Sequence, residues 1–189
     1  MSVPYFDIMM HRRAGAPIPD IDLPEGFRFT FFKPGDEKAW AKIETSVLEF
    51  PNELDALLYL QNDLMRYPGE LERRCLFIEN EKGEKIATSS AWWSYSGVRR
   101  DPWIHWVAVT PSYQGKGLGK AILARVLRLM AEIEGDRDFY LHTQTWSHRA
   151  VKMYQKMGFS FTDEKGLDGY SNENYEKAMA LLNEIYAAE

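Results

Sequence analysis

Apolar residues recur along this chain at two spacings, and each spacing predicts a different kind of element. In "GDEKAWAKIETSVLEF" the residues Trp40, Ile43, Val47 and Leu48 fall three and four apart, which predicts an amphipathic helix. "NELDALLYLQNDLM" predicts a second helix, with Pro51 before it and Pro68 beyond it. Leu118, Ile122, Val126, Leu129 and Ile133 predict a longer one, and "SHRAVKMYQKM" and "NENYEKAMALLNEIYAA" predict two more. Strand-like runs lie at "FRFTFF", "RRCLFIEN", "KIATSSAWWSY", "WIHWVAV", "DFYLHTQ" and "FSFTD". The turn "EKGE" joins the second and third of these into a hairpin. The sequence holds no internal repeat and no low-complexity tract. Residues 1–26 include the proline- and glycine-rich "GAPIPDIDLPEG" and read as an irregular arm. The expected organisation is one α/β (α+β) domain over residues 1–189, with a core at 27–161 and a terminal loop and helix at 162–189.

Composition narrows the function classes. A chain of 189 residues can bury a sizeable core, and 45% hydrophobic with 27% charged residues is ordinary for a globular protein. The formal charge of -5 argues against a general nucleic-acid or anionic-membrane surface and favours a cationic substrate such as an amine. Cys75 is the one cysteine, so neither an intrachain disulfide nor a multi-cysteine metal site is expected. In its strand-like run it reads as a small buried residue. No apolar leader or membrane-length segment is read in the chain, and the cytoplasm is the default location.

The stretch "TPSYQGKGLGKAIL" changes the picture most. Gly115, Gly117 and Gly119 sit between a strand and a helix, with Lys116 and Lys120 among them. A Walker loop fails here because Gln114 stands at the first glycine position and Ala121 follows Gly119-Lys120. The dinucleotide fingerprint fits poorly because Lys120 stands where its third glycine belongs. A helix N-terminus nonetheless presents unpaired amides and a favourable dipole to an anion. Residues 102–131 contain no Asp or Glu, while Lys116, Lys120, Arg125 and Arg128 all lie there. That reversal within an acidic chain marks a place for an anion; a tight turn with solvated lysines is the plain alternative.

"HWVAVTPSYQGKGLGKAIL" resembles the acetyl-CoA-binding segment of the GNAT superfamily of N-acetyltransferases, which carries Gln/Arg-x-x-Gly-x-Gly/Ala. Gln114, Gly117 and Gly119 match it. "SHRAVKMYQKMGF" is similar to the family's second segment through Ala150, Tyr154, Gly158 and Phe159, with Ser147 where asparagine is common. The order and separation of the two segments make the resemblance specific. It implies a central mixed, mostly antiparallel sheet flanked by helices and splayed between the fourth and fifth strands counted from Phe27. It also implies acetyl-CoA as cosubstrate and an amine acceptor; no metal is expected, because the amide cradle needs none and the sequence offers no credible metal-ligand cluster. Two features depart from the family: the arm at the start, and a single convincing strand after the Tyr-bearing helix where the family has two.

The resemblance implies that the backbone of Val107, Ala108 and Val109 pairs with pantetheine amides. It implies that amides of Gln114, Gly115, Lys116, Gly117, Leu118, Gly119 and Lys120 hold the pyrophosphate. Ser147 and Ala150 would line the cofactor on the helix of Tyr154, whose phenol is protonated at neutral pH and suited to protonate the leaving thiolate. Alternation along "WIHWVAV" puts Trp103, His105, Val107 and Val109 on one face. The resemblance implies His105 as a candidate base, since it stands at a strand position where some acetyltransferases carry a Glu or His; a structural histidine is the equal alternative, and His142 is a second choice. Most of Trp92, Trp93, Tyr95, Trp103, Trp106 and Trp146 are expected in the core, with one or two walling an acceptor pocket. Glu49, Glu53, Asp55 and Asp63 lie where the family places its acceptor lid and read as a solvated helix face. The expected activity is acetyl transfer to a primary amine of a small molecule or peptide by direct attack. A non-catalytic acyl-CoA-binding module is the rival, and a homodimer is left open.

Overall fold

The computed structural model describes residues 3–188. Seven strands hydrogen-bond in the order β2-β3-β4-β5-β6-β1-β7. They are β1 (Asp7–Arg12), β2 (Arg28–Phe31), β3 (Cys75–Glu79), β4 (Lys85–Ser96), β5 (Arg99–Val109), β6 (Phe139–Gln144) and β7 (Ser160–Phe161). The helices are α1 (Glu37–Ser46), α2 (Glu53–Tyr59), α3 (Pro68–Arg74), α4 (Leu118–Glu134), α5 (His148–Lys156) and α6 (Tyr175–Ala187). The sheet is mixed and mostly antiparallel, with β5 and β6 parallel where Trp103 pairs with Tyr140.

Contacts group the chain into two compact units. One comprises Met1–Ile18, Trp93–Trp103 and Glu134–Glu189, the other Pro19–Trp92 and Ile104–Ile133. Strands β4 and β5 each contribute residues to both.

In the second unit the "EKGE" hairpin forms as expected, with Cys75 opposite Ser90 and Phe77 opposite Thr88. Gly83 takes the left-handed conformation (φ 77°) that the turn requires. Helix α1 buries Trp40, Ala41, Ile43 and Glu44, setting a carboxylate among apolar residues, but Val47 and Leu48 of the predicted stripe lie past its end at Ser46, and Leu48 is exposed. The second predicted helix is shorter than its pattern: α2 passes into a π-helical turn at Leu60–Leu64. Pro68 opens the separate helix α3 instead of marking an end, because proline at the first helical position loses no hydrogen bond. Strand β3 therefore begins at Cys75, two residues later than the run "RRCLFIEN" suggested. Helix α4 buries Leu118, Ala121, Ile122, Leu123 and Val126 among others.

The first unit corrects the reading of residues 1–26 as an irregular arm. Residues 7–12 form β1, antiparallel to β6 from Asp7 opposite Gln144 to Arg12 opposite Phe139. On its other side β1 pairs with β7 through Met10 and Phe161. It takes the place of the second closing strand that the resemblance implied after the Tyr-bearing helix. Ile8, Met9 and Met10 are at most 2% exposed, so both faces of the strand are buried. Buried Arg12 donates from Nε to the carbonyl of Met157 (3.2 Å), at the C-terminal end of α5. The guanidinium satisfies a carbonyl the helix leaves open and suits the negative end of its dipole.

Candidate functional site

In the second unit, the glycine loop leaves the end of β5 and opens α4. Gly115 (φ 78°) and Gly117 (φ 84°) both adopt the left-handed region, which an L side chain enters only under strain. No heavy atom lies within 4 Å of where a Cβ would stand at either glycine, so the space over the loop is open to a ligand. The carbonyl of Gly117 accepts from Ala121 N (3.1 Å), closing the first turn of α4. Leu118 is buried and anchors that turn, while Gly119 and Lys120 continue it. The first amides of the helix have no intrahelical acceptor. Such amides beside two left-handed glycines suit an anion of phosphate size.

Gln114 does something the sequence did not reveal. Its side-chain Nε2 donates to the carbonyl of Val109 (2.9 Å), tying the loop back to the strand it left. That carbonyl is thereby engaged at one lone pair; Val107 and Val109 are half-buried and Ala108 is buried. The local positive charge also resolves into two pairs. Arg128 bonds to Asp20 (2.7 Å) and Arg125 lies 3.5 Å from Glu132, whereas Lys116 and Lys120 are exposed at the loop. Lys116 Nζ rests 4.9 Å from the centre of the Tyr113 ring. The anion-attracting charge is therefore that of the two lysines.

Strict alternation along "WIHWVAV" does not hold. Trp106 has φ 57°, an outlier for a bulky aromatic residue within a strand, and it interrupts the two-residue repeat. Trp103, His105, Val107 and Val109 thus do not follow one another along a single regular face. His105 is half-buried. Trp106 packs against Tyr59 (4.9 Å between ring centres), Phe50 (5.2 Å) and Trp40 (5.7 Å).

In the first unit, α5 carries Ser147 at its N-terminal boundary and Ala150 and Tyr154 along its length. The Ser147 hydroxyl donates to Gln144 Oε1 (3.3 Å) and makes no cap bond to the helix. Tyr154 is buried at 6% exposure, its ring edge-on to Phe159 at 6.2 Å. The backbone carbonyl of Tyr154 accepts from Met157 N (2.9 Å) and Phe159 N (3.1 Å), which ends the helix just past the tyrosine.

The same unit holds a histidine network whose partners the sequence did not disclose. His142 Nε2 donates to Asp7 Oδ1 at 2.8 Å, which leaves Nδ1 as the basic nitrogen. Nδ1 faces the hydroxyl of Tyr170 at 3.4 Å, and the Tyr170 ring stacks on the imidazole with centres 4.3 Å apart. Tyr5 donates to the same Asp7 oxygen (3.0 Å). Burial holds the His142 pKa below the ordinary histidine value, outweighing the opposing hydrogen bond and charge of Asp7. Burial thus favours the neutral imidazole, the state a base requires. Asp7 carries no motif, and its pairing with His142 spans 135 positions.

Among the described residues no cluster of three or more His, Cys, Asp or Glu side chains gathers to hold a metal, and no helix is long and apolar enough to cross a membrane.

Comparison with known proteins places these features. Residues 38–159 match the family described as "Acetyltransferase (GNAT) family". A mycothiol acetyltransferase of Paenarthrobacter aurescens is 26% identical over 164 residues, covering 83% of this chain and 50% of that protein. The spermine/spermidine N(1)-acetyltransferase of Bacillus subtilis is 33% identical over 67 residues, covering 35% of this chain and 44% of that protein. This chain spans about half the length of the curated relatives it matches. Among solved structures, a GCN5-related N-acetyltransferase from Sphaerobacter thermophilus superposes with a TM-score of 0.67 at 22% identity, over 86% of this chain and 50% of that one. A putative acetyltransferase from Salmonella typhimurium, solved with its cofactor acetyl-CoA, superposes with a TM-score of 0.56 at 21% identity, over 75% of this chain and 83% of that one.

Proposed function

We propose, for a chain that belongs to the acetyltransferase (GNAT) family, that it moves the acetyl group of acetyl-CoA onto a primary amine by direct attack. The observation that carries this reading is the loop of Gly115 and Gly117. Its backbone is turned left-handed, its outer side is open, and it is flanked by Lys116 and Lys120 at the start of a 17-residue helix. The residues present fit a pyrophosphate, since free amides and two ammonium groups supply donors and charge with no carboxylate in residues 102–131. When bound, acetyl-CoA supplies the activated acyl group.

The chain's own groups handle the protons. An alkylammonium near pKa 10 must lose one before its nitrogen can attack. His142 is the base for which a carboxylate partner is in place: Asp7 fixes its tautomer, and Nδ1 collects the proton through water or through the Tyr170 hydroxyl. His105 is the alternative base on β5. The Tyr154 hydroxyl returns a proton to the departing thiolate. Val107, Ala108 and Val109 offer backbone groups to the pantetheine amides, and Ser147 and Ala150 are the candidate cofactor contacts on α5. The name of the spermine/spermidine N(1)-acetyltransferase supports an amine acceptor, and the reading is of a cytoplasmic enzyme that needs no metal.

The test is a panel of primary amines with acetyl-CoA, following free CoA thiol. Thiol release that requires the amine is expected. Saturable acetyl-CoA binding with no release across the panel would turn the reading into that of a binding module.

A further inference from the structure

Glu44 lies on the buried face of α1 and is 0% exposed. Neither of its carboxylate oxygens has a hydrogen-bond partner among the described residues. A buried unpaired carboxylate costs several kcal/mol if charged, so this group either stays protonated or waits for a partner. One turn earlier on the same helix face stands Trp40, about 5–6 Å away at the Cβ positions by helix geometry. Trp40 belongs to a group of four rings with Phe50, Tyr59 and Trp106. The indole N–H groups of Trp40 and Trp106 are also buried without a partner.

Two orphaned indole N–H groups therefore lie in one aromatic cluster, with the orphaned carboxylate of Glu44 one helical turn from Trp40, and one ring is held there by the strained backbone of Trp106. Strain of this kind costs on the order of 1–3 kcal/mol and persists where the surroundings require it. Among the described residues no cation pairs with Glu44. The charged group acting on it is Glu49, from the segment after α1, and β3 presents Cys75, whose thiol burial pushes up to about 11. An arriving cation is what the carboxylate lacks.

We infer that the carboxylate of Glu44, beside the Trp40 ring, is the receptor for the acceptor's ammonium, and that the acceptor is a primary alkylamine whose carbons next to the nitrogen lie against aromatic rings. The inference rests on the acetyl-transfer reading above and names its substrate class. Aromatic faces attract an ammonium, and the carboxylate supplies the countercharge. Burial with the nearby Glu49 raises the Glu44 pKa well above its ordinary value, so the empty site holds a carboxylic acid. Binding an ammonium then expels one proton, the carboxyl O–H bond breaking while the ammonium keeps its three. Above the raised pKa no proton leaves.

The experiment is calorimetry of n-butylammonium and of spermine into CoA-saturated protein, in buffers of differing protonation enthalpy, for the wild type and Glu44→Gln. The wild type should bind at least one of the two and release a proton on the acid side. Glu44→Gln should bind it about tenfold or more weakly, release none, keep its CoA affinity and melt no earlier. Equal amine affinity in the two proteins would overturn the inference, as would failure of the wild type to bind either amine. Should Glu44→Gln not fold, Trp40→Phe decides: it should weaken amine binding several-fold, and unchanged binding counts against the site. Amine binding without thiol release would instead overturn acetyl transfer and leave the receptor standing.

Discussion

Asp7 accepts a 2.8 Å hydrogen bond from His142, although in the β1–β6 register the residue opposite His142 is Met9 and Asp7 lies opposite Gln144. The contact is thus a diagonal one across neighbouring strands, between side chains that alternation puts on the same face. A shift of one residue in that register would turn Asp7 to the other face of the sheet.

Replacing Asp7 by Asn should therefore damage the base while leaving β1 paired. The amide can no longer demand a proton donor at Nε2, so the tautomer with a free Nδ1 loses its preference. The expected result is a fall in kcat of about tenfold or more, with acetyl-CoA affinity unchanged. Asp7 also raises the His142 pKa against the larger effect of burial, so the acid limb of the rate profile should move to lower pH. An unmoved limb with a normal rate would remove the carboxylate from the mechanism.

His105→Ala and His142→Gln separate the two candidate bases. The variant lacking the true base should lose rate mainly near neutral pH and recover at higher pH, where more amine is already deprotonated. The His142 variant also carries a stability signature. The folded pKa of His142 lies below the unfolded value of 6.5, so unfolding takes up a proton and stability falls as pH drops below about 6.5. Thermal melts at pH 5 and 7.5 should show a smaller acid loss in His142→Gln than in the wild type.

Tyr154→Phe removes one hydroxyl and keeps the ring packed against Phe159. Loss of the acid should lower kcat by roughly 10- to 1,000-fold with little change in acetyl-CoA affinity. The stability cost of the lost hydroxyl should be about 1 kcal/mol. A variant that melts earlier but turns over normally would assign Tyr154 to the core alone.

At Gly117 two substitutions divide strain from charge. Alanine at φ 84° costs about 1–2 kcal/mol of backbone strain but meets no neighbour within 4 Å. Aspartate adds a negative charge where the phosphates should lie. Acetyl-CoA affinity should fall modestly in Gly117→Ala and severely in Gly117→Asp, and calorimetry that found both unchanged would relocate the phosphate site.

Arg12→Met tests what ties β1 to α5. It removes the donor to Met157 O and leaves that carbonyl unpaired in a buried setting. A destabilisation of about 1.5–3 kcal/mol is expected. Any loss of acetyl-CoA affinity should come through α5, which carries Ser147 and Ala150, because the glycine loop belongs to the other unit. A melt matching the wild type would mean the carbonyl finds another donor.

The parts of this protein that read directly from sequence are those whose signal is local. The hairpin at "EKGE" has its turn chemistry within four residues, and the loop at Gly115 and Gly117 has its glycines where the backbone turns left-handed. β1 escaped because its partners are over a hundred residues away and the prolines after it pull the eye towards an arm. Trp106 escaped for another reason: alternation assumes an unbroken strand, and nothing in "IHWVA" announces a positive φ. Glu44 was half legible. Trp40, Ile43 and Val47 define a stripe that passes over position 44, so a carboxylate there was visible on an apolar face. What the spacing could not show was that both oxygens end up without a donor.

The place of β1 in the sheet also sets an order of events during synthesis. This strand leaves the ribosome before either neighbour exists, since residues 13–138 separate it from β6 and β7 follows still later. At about 5–20 residues per second, the nascent chain carries Ile8, Met9 and Met10 unpaired for roughly 7–30 s before Ser160 and Phe161 are made. The oldest strand is seated last, by threading between two newer ones or by waiting for β7 to close over it. Refolding of the whole chain should be slow for the same reason. During that interval the apolar triplet is exposed to water and prone to association outside the native sheet.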